Sequence, residues 1–192
     1  RCGDENSIAA TKTFSLSCLY LYIFAKALAQ NRGFLSKKEW AQLPSELNFL
    51  AKSFNKTNAF FNSWSKLSEL LLGHQSILCL GSGKDAPIAL ESALKVREVC
   101  SLHAEGMSLG AIKHGPMAML DKRVAVIVYI SNIQYFTRHK EILEKILLTG
   151  ARLVLVATIK QLKFEGPHIL RFDSVSSDLD PLYLNSGGQI VA

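Results

Sequence analysis

Lys95 and Glu98 stand three residues apart in Ser92-Ala-Leu-Lys-Val-Arg-Glu98, and His114 follows in Lys113-His-Gly-Pro116. Residues three apart share a helix face, so an ammonium and a carboxylate would be neighbours there. Gly-Pro breaks regular structure, which sets the imidazole in a turn. A carboxylate and an imidazole can divide general-acid and general-base work, and an imidazole passes protons readily because its pKa lies near neutrality. Each group also has a plainer reading. Glu91, Lys95 and Glu98 at i, i+4 and i+7 form the polar stripe of an ordinary solvated helix face. A histidine before Gly-Pro can equally be a turn residue bonded to backbone.

The elements that must position these groups are legible in the pattern. Ala9 to about Asn31 reads as one long apolar helix closed by Arg32-Gly33, and Lys37 to Phe61 as a more amphipathic stretch. Pro44 interrupts that stretch and suggests a fresh helix from there. Trp64 to Leu72 adds a short helix before Gly73. The period then changes. Ile77 to Leu80 is an apolar run meeting Gly81-Ser-Gly83, as a buried strand meets a tight turn. A helix with Pro87 in its first turn runs to about Cys100. Val124–Ile130, Leu153–Ala157 and His168–Phe172 read as further strands, with a helix from Tyr135 to Leu148. Continuous apolar strands alternating with helices predict a parallel α/β sheet covered on both faces. Such sheets take ligands at the carboxyl ends of their strands. The loop after Leu80, the Ser92–Glu98 helix and the His114 loop are therefore expected to converge on one crevice.

Gly81-Ser82-Gly83-Lys84 resembles a phosphate cradle, a strand and glycine turn opening onto the free N–H groups of a helix. It lacks the full P-loop or dinucleotide pattern, and a tight strand-to-helix turn explains it equally.

Composition narrows the classes. The 192 residues suffice for one sizeable core with a helical extension. The formal charge of +6 is spread over the surface without a Lys/Arg block, so it does not indicate nucleic acid. Cys2, Cys18, Cys79 and Cys100 show no CxxC spacing, and reduced, buried thiols in a cytoplasmic protein are expected, with no metal. Phe14 to Ala29 is apolar but too short for a comfortable membrane span and carries Lys26, which favours a buried or subunit-interface helix. No signal peptide is evident. The chain starts at Arg1 and stops inside the apolar run Gly188-Gln-Ile-Val-Ala192, so it reads as a piece of something longer.

Leu80-Gly-Ser-Gly-Lys-Asp-Ala-Pro-Ile-Ala-Leu-Glu-Ser-Ala-Leu-Lys-Val-Arg-Glu98 and His103-Ala-Glu-Gly-Met-Ser-Leu-Gly-Ala-Ile-Lys-His-Gly-Pro116 closely resemble the sugar-isomerase (SIS) module of the glutamine–fructose-6-phosphate aminotransferase family, the glucosamine-6-phosphate synthases. The matching part is the second of two tandem SIS subdomains. The resemblance runs from about Glu5 to Ala192 and is strongest between Leu80 and Asp121. It implies a SIS-type parallel sheet flanked by helices, Rossmann-like or flavodoxin-like. Residues 1–73 would be a helical linker from the preceding subdomain, and 74–192 the SIS subdomain itself. Glu98 falls on the family glutamate that moves a proton between C1 and C2 of the sugar, and Lys95 on the lysine that assists it. His114 falls on the histidine that opens the sugar ring and reaches the site from the neighbouring subunit, so a homodimer with shared active sites is implied. His103 reads as structural.

Ser7-Ile-Ala-Ala-Thr-Lys-Thr-Phe14 resembles the family segment whose Val-Ala-Ser-Thr-Lys meets sugar hydroxyls. Ile8 and Thr11 are its substrate-binding candidates here, with Gly81 and Ser82 in the glycine loop. The expected ligands are fructose 6-phosphate and glucosamine 6-phosphate, with no cofactor, no metal, no nucleic acid and no membrane. A glutaminase domain and a first SIS subdomain are the expected neighbours in the parent chain. Three departures stand out. The Ser-Gln-Ser-Gly-Glu-Thr type phosphate loop is absent, the tail bearing the Schiff-base lysine is missing beyond Ala192, and the usual Gly-Glu-Leu-Lys-His-Gly-Pro reads Gly110-Ala-Ile-Lys-His-Gly-Pro116. The fragment alone is therefore expected to be inactive. Two alternatives stay open: another SIS enzyme such as a fructosamine-6-phosphate deglycase, and a non-catalytic sugar-phosphate-binding or dimerisation module.

Overall fold

The computed structural model describes residues 3–6, 9–54 and 57–191. The chain divides into two compact units, Arg1–Lys56 and Thr57–Ala192.

The first unit is a helical pair, α1 (Lys12–Asn31) and α2 (Lys37–Phe54). The Tyr22 hydroxyl of α1 donates to Glu46 Oε2 of α2 at 3.1 Å. A reciprocal capping box opens α2, with Ser36 N donating to Glu39 Oε2 at 2.8 Å and Glu39 N to Ser36 Oγ at 3.2 Å. Pro44 does not start a fresh helix: α2 runs through it. The cap fixes the first turn, and Leu43 and Leu50 are buried, so continuity serves an apolar face that outweighs the bond that proline forgoes. No residue of α1 is buried within the chain, so of the two expectations, a buried or a subunit-interface helix, the first does not hold. Leu16, Tyr20, Phe24 and Leu28 form an exposed apolar stripe along it.

The second unit is an α/β sandwich. Five parallel strands, β1 (Ser76–Gly81), β2 (His103–Ser108), β3 (Val124–Ile130), β4 (Arg152–Ala157) and β5 (His168–Arg171), are ordered β2-β1-β3-β4-β5, the flavodoxin-like order. Four had been expected. β2 was missed because it is a polar edge strand (His103-Ala-Glu-Gly-Met-Ser108) with only Ala104 buried, and edge strands need no continuous apolar run.

Alternating strand residues feed two cores. Leu78, Leu80, Val126, Val128, Leu153 and Leu155 pack with Phe136, Leu143 and Ile146 of α5 (Ile133–Leu148). The opposite face carries α4 (Ala86–Cys100), with α3 (Thr57–Leu71) and α6 (Asp180–Val191) beside it. Trp64 of α3 is fully buried and stacks on Phe172 at 4.3 Å between ring centroids. This contact ties α3 to the sheet, so the compact unit begins earlier than the residue 73/74 boundary read from the sequence.

Of the described cysteines, Cys79 is buried, Cys18 is half-buried and Cys100 is exposed. Burial pushes the Cys79 thiol up to about 12, which makes it an inert packing residue. Cys100 departs from the expectation of buried thiols because it ends α4. Among the described residues, no helix is long and apolar enough to cross a membrane.

Candidate active site

α4 starts after the carboxyl end of β1 and runs antiparallel to β2. Arg97, near its end, donates to the Ala104 carbonyl at the start of β2 at 2.5 Å. Lys95 and Glu98 therefore lie toward the amino-terminal edge of the sheet. Lys95 Nζ donates to Glu98 Oε2 at 2.6 Å and lies 3.5 Å from Glu91 Oε1. The Lys95 side chain is 3% exposed and that of Glu98 25%, so Glu98 presents the accessible end of the cluster. Burial raises the pKa of Glu91, and Lys95 opposes that rise. Glu91 had been noted only as part of a polar stripe. Its i, i+4 spacing to Lys95 was the signal that it shares the ammonium.

His114 lies at the other edge. β2 ends at Ser108, level with Gly81 at the end of β1, and Leu109 N donates to the Gly81 carbonyl at 2.8 Å. The chain then makes a 3-10 turn, Ala111–His114, followed by Gly115 at φ 132°. Ile112 anchors the turn in the core while Ala111, Lys113 and His114 are exposed. His114 makes no hydrogen bond to a described residue, unlike a backbone-tethered turn histidine. His103 pairs across strands instead, its Nδ1 2.6 Å from Ser76 Oγ. From Ala86 to Glu98 a helix advances about 18 Å. The expected convergence on one crevice therefore fails within one chain: Glu98 and His114 sit at opposite edges of the sheet.

At the β1/β3 switch point, where sheets of this order hold ligands, the chain's own groups pack around the turn. Asp85 is fully buried and accepts from Ser131 N at 2.9 Å, bridging the ends of β1 and β3. Burial pushes its carboxyl up to about 6 despite that bond, and nearby Asp180 adds to the rise. Gly83 has φ +55°, and the Tyr135 hydroxyl fills the space a Cβ would need there. Gly81 is pressed against the Asp85 carbonyl, and Ser82 is buried. Neither Asp85 nor Tyr135 had been singled out from the sequence, whose residue types here do not reveal which side chain folds back. These contacts account for both glycines as a tight turn.

Ile8 lies outside the described residues. Thr11 opens α1, where its N–H and hydroxyl donate to Glu5 Oε1 at 3.1 and 3.2 Å. Thr13 N donates to Glu5 Oε2 at 2.7 Å. These bonds, Thr13's first, hold the Glu5 carboxyl down at about 2. A carboxylate of the chain itself thus takes the positive end of α1.

Residues 70–162 match the SIS domain family. The chain is 31% identical over 182 residues to glutamine–fructose-6-phosphate aminotransferase [isomerizing] of Pseudomonas putida, covering 94% of this chain and 30% of that protein. It is 32% identical over 188 residues to the protein of the same name from Mycolicibacterium smegmatis. Among solved structures, the C-terminal domain of glucosamine-fructose-6-phosphate aminotransferase from Francisella tularensis superposes with a TM-score of 0.89 at 25% identity, over 98% of this chain and 54% of that one. The chain thus spans about 30% of the length of the curated relatives it matches. The sheet order, the domain match and these likenesses agree: residues 70–162 are a SIS domain, and the chain around them is a homologue of part of the isomerizing glutamine–fructose-6-phosphate aminotransferases.

Proposed function

We propose that this chain is the second SIS subdomain in the isomerase half of a glucosamine-6-phosphate synthase, which converts fructose 6-phosphate and glutamine to glucosamine 6-phosphate and glutamate. Glu98 is the proton carrier. It takes a proton from C1 of the open-chain sugar, next to the C2 carbonyl or imine, and returns it to C2, leaving an aldose. Lys95, locked against Glu98, steadies the negative charge as it moves between carboxylate and substrate. His114 protonates and deprotonates the ring oxygens during opening and closure.

The observation that carries this reading is the separation of Glu98 and His114 at opposite edges of one sheet. A site needing both draws them from two copies, as a homodimer with shared active sites requires. The exposed stripe Leu16, Tyr20, Phe24 and Leu28 offers apolar surface for such an assembly. The Ser/Thr-rich phosphate loop of the family lies in the first subdomain, so the phosphate grip belongs elsewhere in the parent protein. Catalysis depends on that positioning, so the fragment alone is inactive.

The test uses the full-length protein with fructose 6-phosphate and glutamine, assayed for glucosamine 6-phosphate in wild type and Glu98→Gln. Product from wild type with a loss of about a hundredfold or more in the variant supports the assignment. No product from wild type overturns it and favours a deglycase or a sugar-phosphate sensor.

A further inference from the structure

A parallel sheet gathers the beginnings of all its strands at one edge, and here four of them deliver a basic side chain to one cavity. His74 lies just before β1, Lys122 just before β3, Arg152 opens β4 and His168 opens β5. All four line a cavity of about 310 Å³ at the amino-terminal edge, floored by Leu147 and Leu153, and no Asp or Glu lines it.

The hydrogen bonds orient these groups. Arg152 Nη1 lies 3.3 Å from His168 Nε2. A guanidinium only donates, so Nε2 accepts and the imidazole proton sits on Nδ1. His74 Nδ1 lies 3.1 Å from the Leu71 carbonyl, which only accepts, so Nδ1 carries the proton and Nε2 stays uncommitted. Asp121, the carboxylate beside Lys122 in sequence, is gripped by Arg123 through Nε at 2.9 Å and through Nη2. Lys122 is left without a salt-bridge partner among the described residues.

We propose that this cavity is a binding site for a phosphate group, carried by the free ion or by a small phosphate monoester. A lysine and a planar guanidinium match the charge and the fork of phosphate oxygens. The volume lies at the small end of ligand pockets, which fits inorganic phosphate or a monoester about the size of a sugar phosphate and excludes a dinucleotide. An oligonucleotide is excluded too, because the basic groups ring one concavity and do not form a track. The site is separate from Glu98 and does not rest on the catalytic reading.

The test is calorimetric titration of inorganic phosphate, and separately of fructose 6-phosphate, into the full-length protein at low salt. The proteins compared are wild type, Lys122→Ala/Arg152→Ala, Arg152→Lys and Glu98→Gln. Wild type and Glu98→Gln should show a saturable phosphate site. The double variant should lose at least tenfold in affinity for it, and Arg152→Lys several-fold, because the charge remains while the fork is lost. Whichever of the two probes binds more tightly to the residue-dependent site identifies the phosphate source. Equal phosphate binding by wild type and the double variant, or none by either, overturns the proposal. If the double variant fails to fold by circular dichroism, Arg152→Lys alone decides: unchanged affinity for phosphate overturns the site.

Discussion

Lys95 Nζ sits 2.6 Å from Glu98 Oε2 within a pair that is nearly closed to solvent on the lysine side and a quarter exposed on the glutamate side. A surface pair of this spacing would contribute little. This one is anchored by burial, and Glu91 flanks the same ammonium at 3.5 Å. Removing the cation leaves a buried carboxylate uncompensated. Lys95→Met should therefore lower stability by on the order of 2–4 kcal/mol. Adding Glu91→Gln should recover part of the loss. Thermal unfolding of the two variants checks this, and a Lys95→Met midpoint equal to wild type would mean that the pair is solvated.

The opposed placement of Glu98 and His114 gives the shared-site reading a direct test. Glu98→Gln and His114→Ala should each inactivate the full-length enzyme. In a mixed two-fold dimer, one of the two sites regains both native residues. Random mixing of the two variants should then restore about a quarter of wild-type activity. Co-expression followed by a glucosamine 6-phosphate assay reads this out. No restoration would place both residues of each site on one chain.

Asp85 fixes a pH dependence with a definite sign. Its folded-state pKa is raised to about 6 by burial, above an unfolded aspartate near 4. Between those values the folded state holds the extra proton. The contribution to stability is therefore complete below about pH 4 and is lost as pH rises through about 6. Asp85→Asn retains an oxygen to accept from Ser131 N and carries no charge. It should unfold at higher temperature than wild type near pH 7.5, by the equivalent of about 3 kcal/mol, with the gap closing toward pH 4. A pH-independent difference would show that ionisation of Asp85 is not its cause.

Helix α6 meets α4 by close approach of backbone to backbone. A Cβ at Gly188 would lie 2.7 Å from Ser92 Cβ and 2.8 Å from Ser92 Cα, and a backbone atom cannot step aside as a side chain can. Gly188→Ala should cost about 1–3 kcal/mol and loosen α6, measurable as faster amide exchange along Asp180–Gln189. An unchanged exchange pattern would mean that the helices separate without penalty.

Much of the architecture lay in local pattern. The apolar runs at Ile77–Leu80, Val124–Ile130 and Leu153–Ala157 read as buried strands because each is a short, continuous apolar segment bounded by turn residues. The Lys95–Glu98 contact followed from helical spacing alone. β2 escaped notice because an edge strand buries one side chain here and so leaves no periodic trace. Pro44 misled because local breaking tendency was weighed without the capping box and the apolar face that hold α2 through it.

What the chain alone determined, then, was its fold class and the residue types able to move protons. Both are written in short-range spacing, which a helix or strand converts directly into a shared face. Only tertiary structure decided where those residues stand. The direction of α4 carries Glu98 away from the turn that presents His114. The folding back of Asp85 and Tyr135 packs the turn that follows β1. The parallel alignment of strand beginnings draws His74, Lys122, Arg152 and His168 around one cavity. These are long-range relationships, set by strand order and by which side chain fills which space, and no local sequence window contains them.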